Sequence, residues 1–184
     1  MRVTTTIDGR RVRLRPATLA DRRMIHAWSY ASDVAPLLHL SDASTRPLDD
    51  WCTDWEEHYF TDGEPERGRM FVILDGDVPV GAIAFNDIDE RRRVELDIWL
   101  NAEANCGRSL GTDAIEALAG YLQVELGVRT FMMQPSARNP RAVRAYEKVG
   151  FVRVPATPEE IATGWGGVDH EDSVLMIREA GRAR

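Results

Sequence analysis

The chain has 184 residues, of which 43% are hydrophobic and 29% are charged, and its formal net charge is −7. This length suits one domain with a well-filled core, so we expect residues 1–184 to form a single domain. The acidic balance argues against nucleic-acid binding, and the lack of a long apolar run argues against a membrane span. With two cysteines and no signal-like N-terminal segment, we expect a soluble protein of the cytoplasm.

The first half of the chain predicts one strand, two helices and a β-hairpin. The predicted ranges are 11–15 for the strand, 19–30 and 47–59 for the helices, and 70–74 and 78–85 for the hairpin. Alternating apolar residues indicate the strands, and apolar residues three and four apart indicate the helices. Thr18 and Asp21 form a capping signal, and Asp75-Gly76-Asp77 is a typical hairpin turn. Residues 36–44 are predicted to be a loop.

The next segment, residues 94–100, alternates strictly and predicts a central strand. Apolar side chains alternate with a second set that contains two carboxylates and an indole. One face carries Val94, Leu96, Ile98 and Leu100, and the other carries Glu95, Asp97 and Trp99. We therefore expect one face of this strand to pack on the core and the other to offer carboxylates, either to a substrate or simply to solvent.

A glycine-containing loop and a helix follow this strand. Gly107 and Gly111 flank Arg108 in the loop, and apolar residues then recur at helical spacing as far as Gly127, a plausible C-terminal cap. A helix N-terminus presents unpartnered N–H groups and partial positive charge, which favour phosphate. The pattern therefore predicts either a phosphate-binding loop or an ordinary strand-to-helix turn.

The last third of the chain predicts a strand, a helix and two further strands. The predicted ranges are 128–133, 140–149, 151–154 and 173–177, with a long loop at 155–169. Asn139 and Pro140 suit the start of the helix. The whole order, β-αα-βββ-α-β-α-ββ, predicts an α/β (α+β) fold with a mixed central sheet and helices on both faces.

Asn139, Ala142 and Tyr146 share one stripe of the helix after residue 139, while Arg141, Arg144 and Lys148 are predicted to point elsewhere. From spacing alone, Asn139 could be only a cap and Tyr146 only a core residue.

Two motifs resemble the GNAT superfamily of acyl-CoA-dependent N-acetyltransferases. One is Asn-x-x-Ala-x-x-x-Tyr-x-x-x-Gly-Phe at 139–151, and the other is the loop at 107–112. The loop and the preceding Asp97 are most similar to the aminoglycoside 6'-N-acetyltransferases. The sequence departs from that branch at Cys106, at Ser109, where glycine is usual, and at Gln134, where those enzymes use an aspartate to hold substrate.

The resemblance implies a fold, a cosubstrate and a set of roles. Acetyl-CoA would be the cosubstrate, with its pyrophosphate on the backbone of the loop and its pantetheine arm beside Asn139 and the end of the central strand. The implied binding residues are Ile98, Trp99, Leu100, Gly107, Arg108, Ser109, Leu110, Gly111, Thr112, Asn139, Ala142 and Tyr146. Tyr146 would lie by the thioester sulfur.

Acetyl transfer to an amine requires a base, a polarised carbonyl and a proton for the departing thiolate. Asp97 is our candidate base, Glu95 competes with it, and Tyr146 is the candidate proton donor. A covalent intermediate on Cys106 is disfavoured because no histidine is near it in sequence. The histidines show no metal-ligand spacing, so we expect no metal. The segment Asp169-His170-Glu171-Asp172 is predicted to be a solvated loop.

The acceptor is expected to be a cationic small molecule, such as a polyamine or an aminoglycoside-like sugar, entering over residues 31–66. This segment carries ten acids against the single base Arg46, although it could equally be a solvated face. Trp51, Trp55 and Tyr59 are predicted to form a packed helix face there. The open alternatives are a protein N-terminal or lysine amine as acceptor, and a non-catalytic acyl-CoA-binding module. We expect a monomer or a homodimer.

Overall fold

One mixed sheet runs through the computed structural model, which describes residues 6–38 and 46–181. The strands are β1 (Ile7–Asp8), β2 (Val12–Pro16), β3 (Arg67–Asp75), β4 (Val78–Asp87), β5 (Arg93–Leu100), β6 (Thr130–Met133), β7 (Val152–Arg153) and β8 (Met176–Glu179). The helices are α1 (Arg22–Ala31), α2 (Ala35–Leu38), α3 (Leu48–Asp54), α4 (Leu110–Leu126), α5 (Pro140–Lys148) and α6 (Pro158–Trp165). The strand order is β1-β2-β3-β4-β5-β6-β8-β7.

The sheet opens between its two central strands. β5 and β6 are parallel, and their pairing runs only from Arg93 opposite Thr130 to Glu95 opposite Met132. β5 continues to Leu100, whereas β6 ends at Met133 and is soon followed by Pro135, which has no N–H to donate to a ladder. The second half of β5 therefore faces a gap rather than a paired strand on this side.

Helices cover both faces of the sheet, as the sequence predicted, and the predicted fold class is confirmed. α4 and α5 pack on the face that carries Val94 and Leu96, in a cluster that contains Leu110, Ile115 and Leu118. α1 and α3 lie on the other face with Trp99, in a second cluster. The alternation of residues 94–100 thus places Glu95 and Asp97 on the α1 and α3 side.

None of the described helices is long and apolar enough to cross a membrane.

Three predicted elements need correction, and two elements were missed. The predicted loop at 155–169 contains α6, whose capping box joins Thr157 to Glu160. The predicted helix at 47–59 ends at Asp54, because Trp55 leaves helical geometry and its ring packs against Trp99. The last strand is Met176–Glu179 rather than 173–177, a shift set by its pairing with β6. Strand β1 and the short helix α2 were missed, and residues 39–44 of the predicted loop lie outside the described residues.

A buried aspartate joins the first hairpin to the start of α4. The carboxylate of Asp113 accepts backbone hydrogen bonds from Arg10 (3.1 Å), Arg11 (2.8 Å) and Val12 (2.9 Å). Gly9 permits this approach, because a Cβ there would lie 2.5 Å from the Asp113 carboxylate. The β1–β2 hairpin and the first turn of α4 therefore hold each other in place.

Candidate active site

The gap beside β5 contains a cleft of about 340 Å³ at the N-terminus of α4, which we call the helix cleft. Its walls are the end of β5, the loop before α4, the first turn of α4 and one side of α5. The predicted binding residues that line it are Ile98, Trp99, Leu100, Gly107, Ser109, Leu110, Gly111, Thr112, Asn139, Ala142 and Tyr146. The structure thus brings together every predicted binding residue except Arg108.

The loop at the mouth of the helix cleft turns through two left-handed residues. Gly107 has φ +73°, and Ser109 has φ +65°, a conformation that glycine adopts more easily than serine. The first hydrogen bond within α4 runs from Asp113 N–H to the Ser109 carbonyl at 3.0 Å. The backbone N–H groups just before Asp113 therefore lie at the free end of the helix, where an anion is stabilised.

The cations around the helix cleft differ from those that the sequence suggested. The Arg108 guanidinium pairs with Asp75 at 2.9 Å and donates to Asn105 at 3.0 Å. In contrast, the basic side chains of α5, which we expected to point away from the Asn139 stripe, line this cleft: Arg141, Arg144 and Lys148. That prediction was wrong. Arg141 pairs with Glu103 at 2.9 Å, so positive charge reaches the cleft mainly from Arg144 and Lys148 of α5 rather than from the loop.

A second cleft, of about 310 Å³, lies on the α1 and α3 side of β5, and we call it the carboxylate cleft. It shares Ile98, Trp99, Asn139, Ala142 and Tyr146 with the helix cleft. Asn139 also accepts the Ala142 N–H at 3.2 Å, so its capping role and its cleft position coexist. The two clefts therefore meet beside Tyr146.

Tyr146 is buried at this junction, with 9% of its surface exposed. Its ring packs against Phe151 at 6.3 Å between centroids. Burial, followed by the negative charges of Asp97 and Asp169, raises the pKa of the Tyr146 hydroxyl. This hydroxyl therefore stays protonated at neutral pH and can donate a hydrogen bond to a group placed between the clefts.

The two candidate bases occupy different positions. Asp97 lines the carboxylate cleft, whereas Glu95 lies behind it and accepts hydrogen bonds from Gln134 (3.0 Å) and Asn86 (3.5 Å). Desolvation and the charges of Asp97 and Asp169 raise the pKa of Glu95 well above its usual range. Desolvation and Asp169 also raise the pKa of Asp97. Asp97 is therefore the carboxylate that an acceptor could reach.

Asp169 is a further residue of this cleft, and no local sequence pattern marks it as one. Asp169 and His170 both line the carboxylate cleft, so the prediction of a merely solvated loop was wrong. Asp169 is an exposed residue by its surface area, yet desolvation raises the pKa of its carboxyl group. The Gln134 amide holds this loop in place by donating to the Gly167 carbonyl at 3.2 Å as well as to Glu95.

Aromatic side chains form the opposite wall of the carboxylate cleft. Trp51 and Trp55 pack together at 6.2 Å between centroids, and Trp55 packs against Trp99 at 5.6 Å. All three tryptophans line the cleft, so the predicted packed face is also a cleft wall. Two buried polar atoms on its lining residues have no partner, the Trp99 indole N–H and the Gln134 Oε1.

Most of the described acidic side chains of segment 31–66 lie outside this cleft. Among its described acids, only Asp54 lines the cleft, and it pairs with Arg46. Several others are engaged elsewhere, as in the pairs Asp62–Arg69, Glu66–Arg92 and Glu56–Arg67. The negative charge inside the cleft therefore comes mainly from Asp97 and Asp169, which lie outside the segment.

Comparison with known proteins gives a family for this architecture. Residues 11–152 match the acetyltransferase (GNAT) domain family. This match covers well over half of the chain, so the chain belongs to the GNAT acetyltransferase family. The resemblance inferred from the two motifs is confirmed, and so is the prediction of an acetyltransferase at the level of the family.

Individual relatives are more distant. The chain is 28% identical over 90 residues to the ribosomal-protein-serine acetyltransferase of Escherichia coli (strain K12), a match that covers 47% of this chain and 50% of that protein. The match thus spans about half the length of this curated relative. It leaves the substrate of this chain open.

Two solved structures have the same fold. A spermidine N-acetyltransferase from Vibrio cholerae, in complex with CoA and spermine, has a TM-score of 0.67 and 20% identity, covering 91% of this chain and 93% of that one. The aminoglycoside acetyltransferase AAC(6')-Ib, in complex with paromomycin and acetyl-CoA, has a TM-score of 0.68 and 23% identity, covering 94% of each chain.

Proposed function

We propose that this protein is an N-acetyltransferase that moves the acetyl group of acetyl-CoA directly to a primary amine of a cationic small molecule. The observation that carries the proposal is the meeting of two clefts at Tyr146. One cleft ends at a helix N-terminus suited to phosphate, and the other contains Asp97 and Asp169. A donor and an acceptor bound in these clefts would meet at one point, as direct transfer requires.

Acetyl-CoA would occupy the helix cleft. Its pyrophosphate would lie on the backbone of residues 107–112, where the helix dipole and free N–H groups stabilise negative charge. Arg141, Arg144 and Lys148 would add positive charge from α5. The second half of β5, beyond Glu95, has no paired strand on the β6 side, and its backbone groups there are available to the pantetheine arm and to the acetyl carbonyl. The thioester would then lie beside Tyr146.

The acceptor would enter the carboxylate cleft as an ammonium ion. Asp97 would hold this ion and take its proton, directly or through water, and its raised pKa makes it a better base than an ordinary aspartate. The neutral amine then attacks the thioester carbon. Glu95 lies behind the cleft wall, where Gln134 and Asn86 donate to it, and would not contact the acceptor.

Breakdown of the tetrahedral intermediate expels the CoA thiolate, which needs a proton. The Tyr146 hydroxyl is protonated and lies at the junction of the clefts. It would donate its hydrogen bond, and then its proton, to the sulfur, and the second proton that the attacking nitrogen loses as the amide forms would restore the hydroxyl. The new acetamide group carries no charge, so the attraction of this nitrogen to Asp97 is lost and release of the product is favoured.

The charges of the carboxylate cleft favour an acceptor with more than one positive charge. After desolvation, the charges of Asp97 and Asp169 raise the pKa of Glu95, and the charge of Asp169 raises the pKa of Asp97, so a bound cation would relieve this repulsion. The tryptophan wall can pack against methylene groups or stabilise a cation over a ring face. A polyamine or an aminoglycoside-like sugar meets both requirements. Gln134, where aminoglycoside enzymes have aspartate, favours the polyamine of the two.

A protein N-terminal amine is the second candidate acceptor. The observation that favours it is the match to an acetyltransferase of a ribosomal-protein serine. A basic peptide terminus could use the same carboxylates as a polyamine. A module that binds acyl-CoA without turnover is disfavoured, because such a module would not need an acidic cleft at the thioester.

The test is release of CoA thiol from acetyl-CoA with a panel of amines at low and high ionic strength. The panel contains spermidine, an aminoglycoside, a monoamine of one charge and a basic peptide that begins with serine. We expect the polycation to have the highest kcat/KM and the steepest decline with salt. Asp97→Asn should lower its kcat/KM about a hundredfold, and Asp54→Asn should act more weakly. Asp49→Asn, exposed on α3 and outside the cleft, is the matched control.

Three outcomes of this panel would contradict parts of the proposal. Absence of turnover with every amine, despite tight acetyl-CoA binding, would support the binding module. Turnover of the peptide alone would move the acceptor to proteins. Equal salt dependence for the monoamine and the polycation would remove the cationic preference.

A further inference from the structure

Gln134 directly follows β6 and connects the strand that carries Asp97 to the loop that carries Asp169. It is buried, with 5% of its surface exposed, and it is one of the residues that line the carboxylate cleft. Its side-chain amide donates to the Glu95 carboxylate at 3.0 Å and to the Gly167 carbonyl at 3.2 Å. One amide group therefore joins β5 to the loop after α6.

The two acceptors fix the orientation of this amide. A backbone carbonyl can only accept a hydrogen bond, so the end that reaches Gly167 must be the donor end. The Oε1 atom of Gln134 is then buried without a partner. A buried acceptor without a partner costs free energy, which offsets part of what the two donated hydrogen bonds contribute. A role in placing the loop accounts for this arrangement better than a role in stability alone.

Two anchors hold the ends of this loop. Before residue 167, the Arg93 guanidinium donates to the Gly164 carbonyl at 3.0 Å. After residue 169, the His170 N–H donates to the Ser173 hydroxyl at 2.9 Å. Residues 167–169 form the stretch between these anchors, and this stretch reaches the carboxylate cleft.

The stretch 167–169 depends on Gln134 for its attachment to the sheet. Within the part of the chain that the structure describes, the bond from Gln134 to the Gly167 carbonyl is its only hydrogen bond. Val168 adds apolar packing beside α6. Asp169 is exposed by its surface area, yet it lines the cleft. The position of its carboxylate in the cleft is therefore set largely by the Gln134 bridge.

The charged side chains that line the carboxylate cleft fall into two groups. Asp54 pairs with Arg46, so these two charges largely offset each other. Among the ion pairs of the described residues, none involves Asp97 or Asp169, although a protonated His170 would favour the ionised form of Asp169. Asp97 belongs to β5 and Asp169 to the loop. Two carboxylates from separate elements are therefore available to two positive charges of one acceptor.

We propose that Asp169 determines acceptor specificity and that Gln134 is the positioning residue that makes this possible. Gln134 holds the loop against β5, so that Asp169 binds the second ammonium group of a polyamine while Asp97 binds the one that reacts. This inference rests on the proposed transfer to a cationic amine and assigns the second charge of the acceptor to one carboxylate. The second ammonium keeps its charge throughout the reaction, so Asp169 contributes to binding and not to the chemical step.

The assignment of Asp169 can be tested with spermidine and butylamine, which both carry a primary amine but differ in their number of charges. Calorimetry measures the binding of each amine to the CoA complex, and release of CoA thiol gives kcat and KM at pH 8. Asp169→Asn should weaken spermidine binding about tenfold and raise its KM similarly, with a smaller change in kcat. The effect on butylamine should be clearly smaller, because it has no second charge.

The role of Gln134 can be tested in the same assays with Gln134→Met, which keeps the size of the side chain and removes both donated hydrogen bonds. We expect the Kd and KM of spermidine to rise about fivefold to tenfold. In an Asp169→Asn background the same change should have little further effect, whereas a purely structural role would give additive effects. Gln123→Met is the matched control, since Gln123 also donates to a backbone carbonyl, that of Gly181, but lies outside both clefts.

Retained CoA binding shows that each variant is folded. If Gln134→Met fails this check, Gln134→Asn replaces it, because its amide is shorter by one methylene and should also weaken spermidine binding. The proposal is overturned if Asp169→Asn or the folded Gln134 variant keeps the parent's preference for spermidine over butylamine, or if their effects add in the double variant. Each of these results leaves the acetyl transfer itself standing. Absence of turnover with every amine by the parent would instead contradict the proposed function.

Discussion

The helix cleft and the carboxylate cleft meet at Tyr146, but they are built in different ways. The helix cleft is lined by two local segments, from the end of β5 to the start of α4 and along α5, and small residues such as Gly107 and Gly111 leave room for a ligand. The carboxylate cleft is formed by side chains that converge from distant parts of the chain, including Trp51, Asp97, Gln134 and Asp169. The first cleft should therefore be sensitive to added bulk, and the second to changes of charge.

The largest effect should come from the residue that both clefts share. Tyr146→Phe removes the hydroxyl and keeps the ring that packs on Phe151. We expect kcat to fall about a hundredfold, because proton donation is needed only as the thioester breaks, while acetyl-CoA affinity stays unchanged.

Single-turnover kinetics and calorimetry would separate these two quantities. Tyr121→Phe, a half-buried tyrosine on α4 outside both clefts, is the control. Unchanged turnover of Tyr146→Phe, with chemistry rate-limiting, would remove Tyr146 from the mechanism.

Added bulk in the helix cleft should act on binding instead. A Cβ at Gly111 would lie in ordinary contact with Ile98, at 3.6 Å, so a leucine there extends into the space between α4 and β5. We expect Gly111→Leu to weaken acetyl-CoA binding about tenfold to a hundredfold, as measured by calorimetry. Gly120→Leu, exposed on the same helix, should bind acetyl-CoA normally. Equal affinity in the two variants would show that CoA does not bind against this turn.

A smaller effect, on stability, should separate two aspartates of one loop. The pKa of Asp169 is raised, so its ionised form opposes folding, and its favourable contribution is lost as pH rises through the folded-state pKa. Asp169→Asn should therefore raise the melting temperature at pH 8, by about 2–4 °C for each kcal/mol gained, and much less near pH 4.

Asp172 is the matched control for Asp169. Hydrogen bonds from Ser136 and Arg138 lower the pKa of Asp172, so its stabilising contribution is present at neutral pH and is lost as pH falls. Asp172→Asn should lower the melting temperature at pH 8. Scanning calorimetry of both variants at the two pH values would test this, and the same sign of change for both at pH 8 would contradict the assigned environments.

The smallest effect should come from Ser109, which holds a left-handed conformation in the helix-cleft loop. Its side chain makes no capping hydrogen bond at α4. Ser109→Gly should relieve strain of about 1 kcal/mol, partly offset by the greater freedom of glycine in the unfolded chain. Urea unfolding should show a gain below about 1 kcal/mol for Ser109→Gly and none for Ser109→Ala. A gain in the alanine variant alone would rule out this backbone strain.

The sequence predicted the helix cleft well because its parts lie in two short, locally ordered segments. Residues 94–112 and 139–148 carry their own periodicity, glycines and caps, which fix local geometry without help from the rest of the chain. Arg108 was one exception, since its pairing with Asp75 depends on a turn far away in sequence, and the basic side chains of α5 were another.

The carboxylate cleft was predicted less completely because its residues meet only after folding. Asp97 was found from strand alternation, but no local pattern connects it to Asp169 or to the wall formed by Trp51 and Trp55. The acidic segment 31–66 showed a strong composition signal that mostly reflects ion pairs elsewhere, as between Glu66 and Arg92. Composition identified the acidic residues of this segment but not which of them would line the cleft.

The three backbone hydrogen bonds that Asp113 accepts from the first hairpin also bear on the order of folding. They join residues about a hundred positions apart, with sequence separations of 101 to 103. Contacts this distant form late, because a long loop must close before they contribute. The first turn of α4 should therefore reach its final position only after the two ends of this span have met. During refolding, the ability to bind CoA should appear after helical content, and it would report completed assembly of the chain.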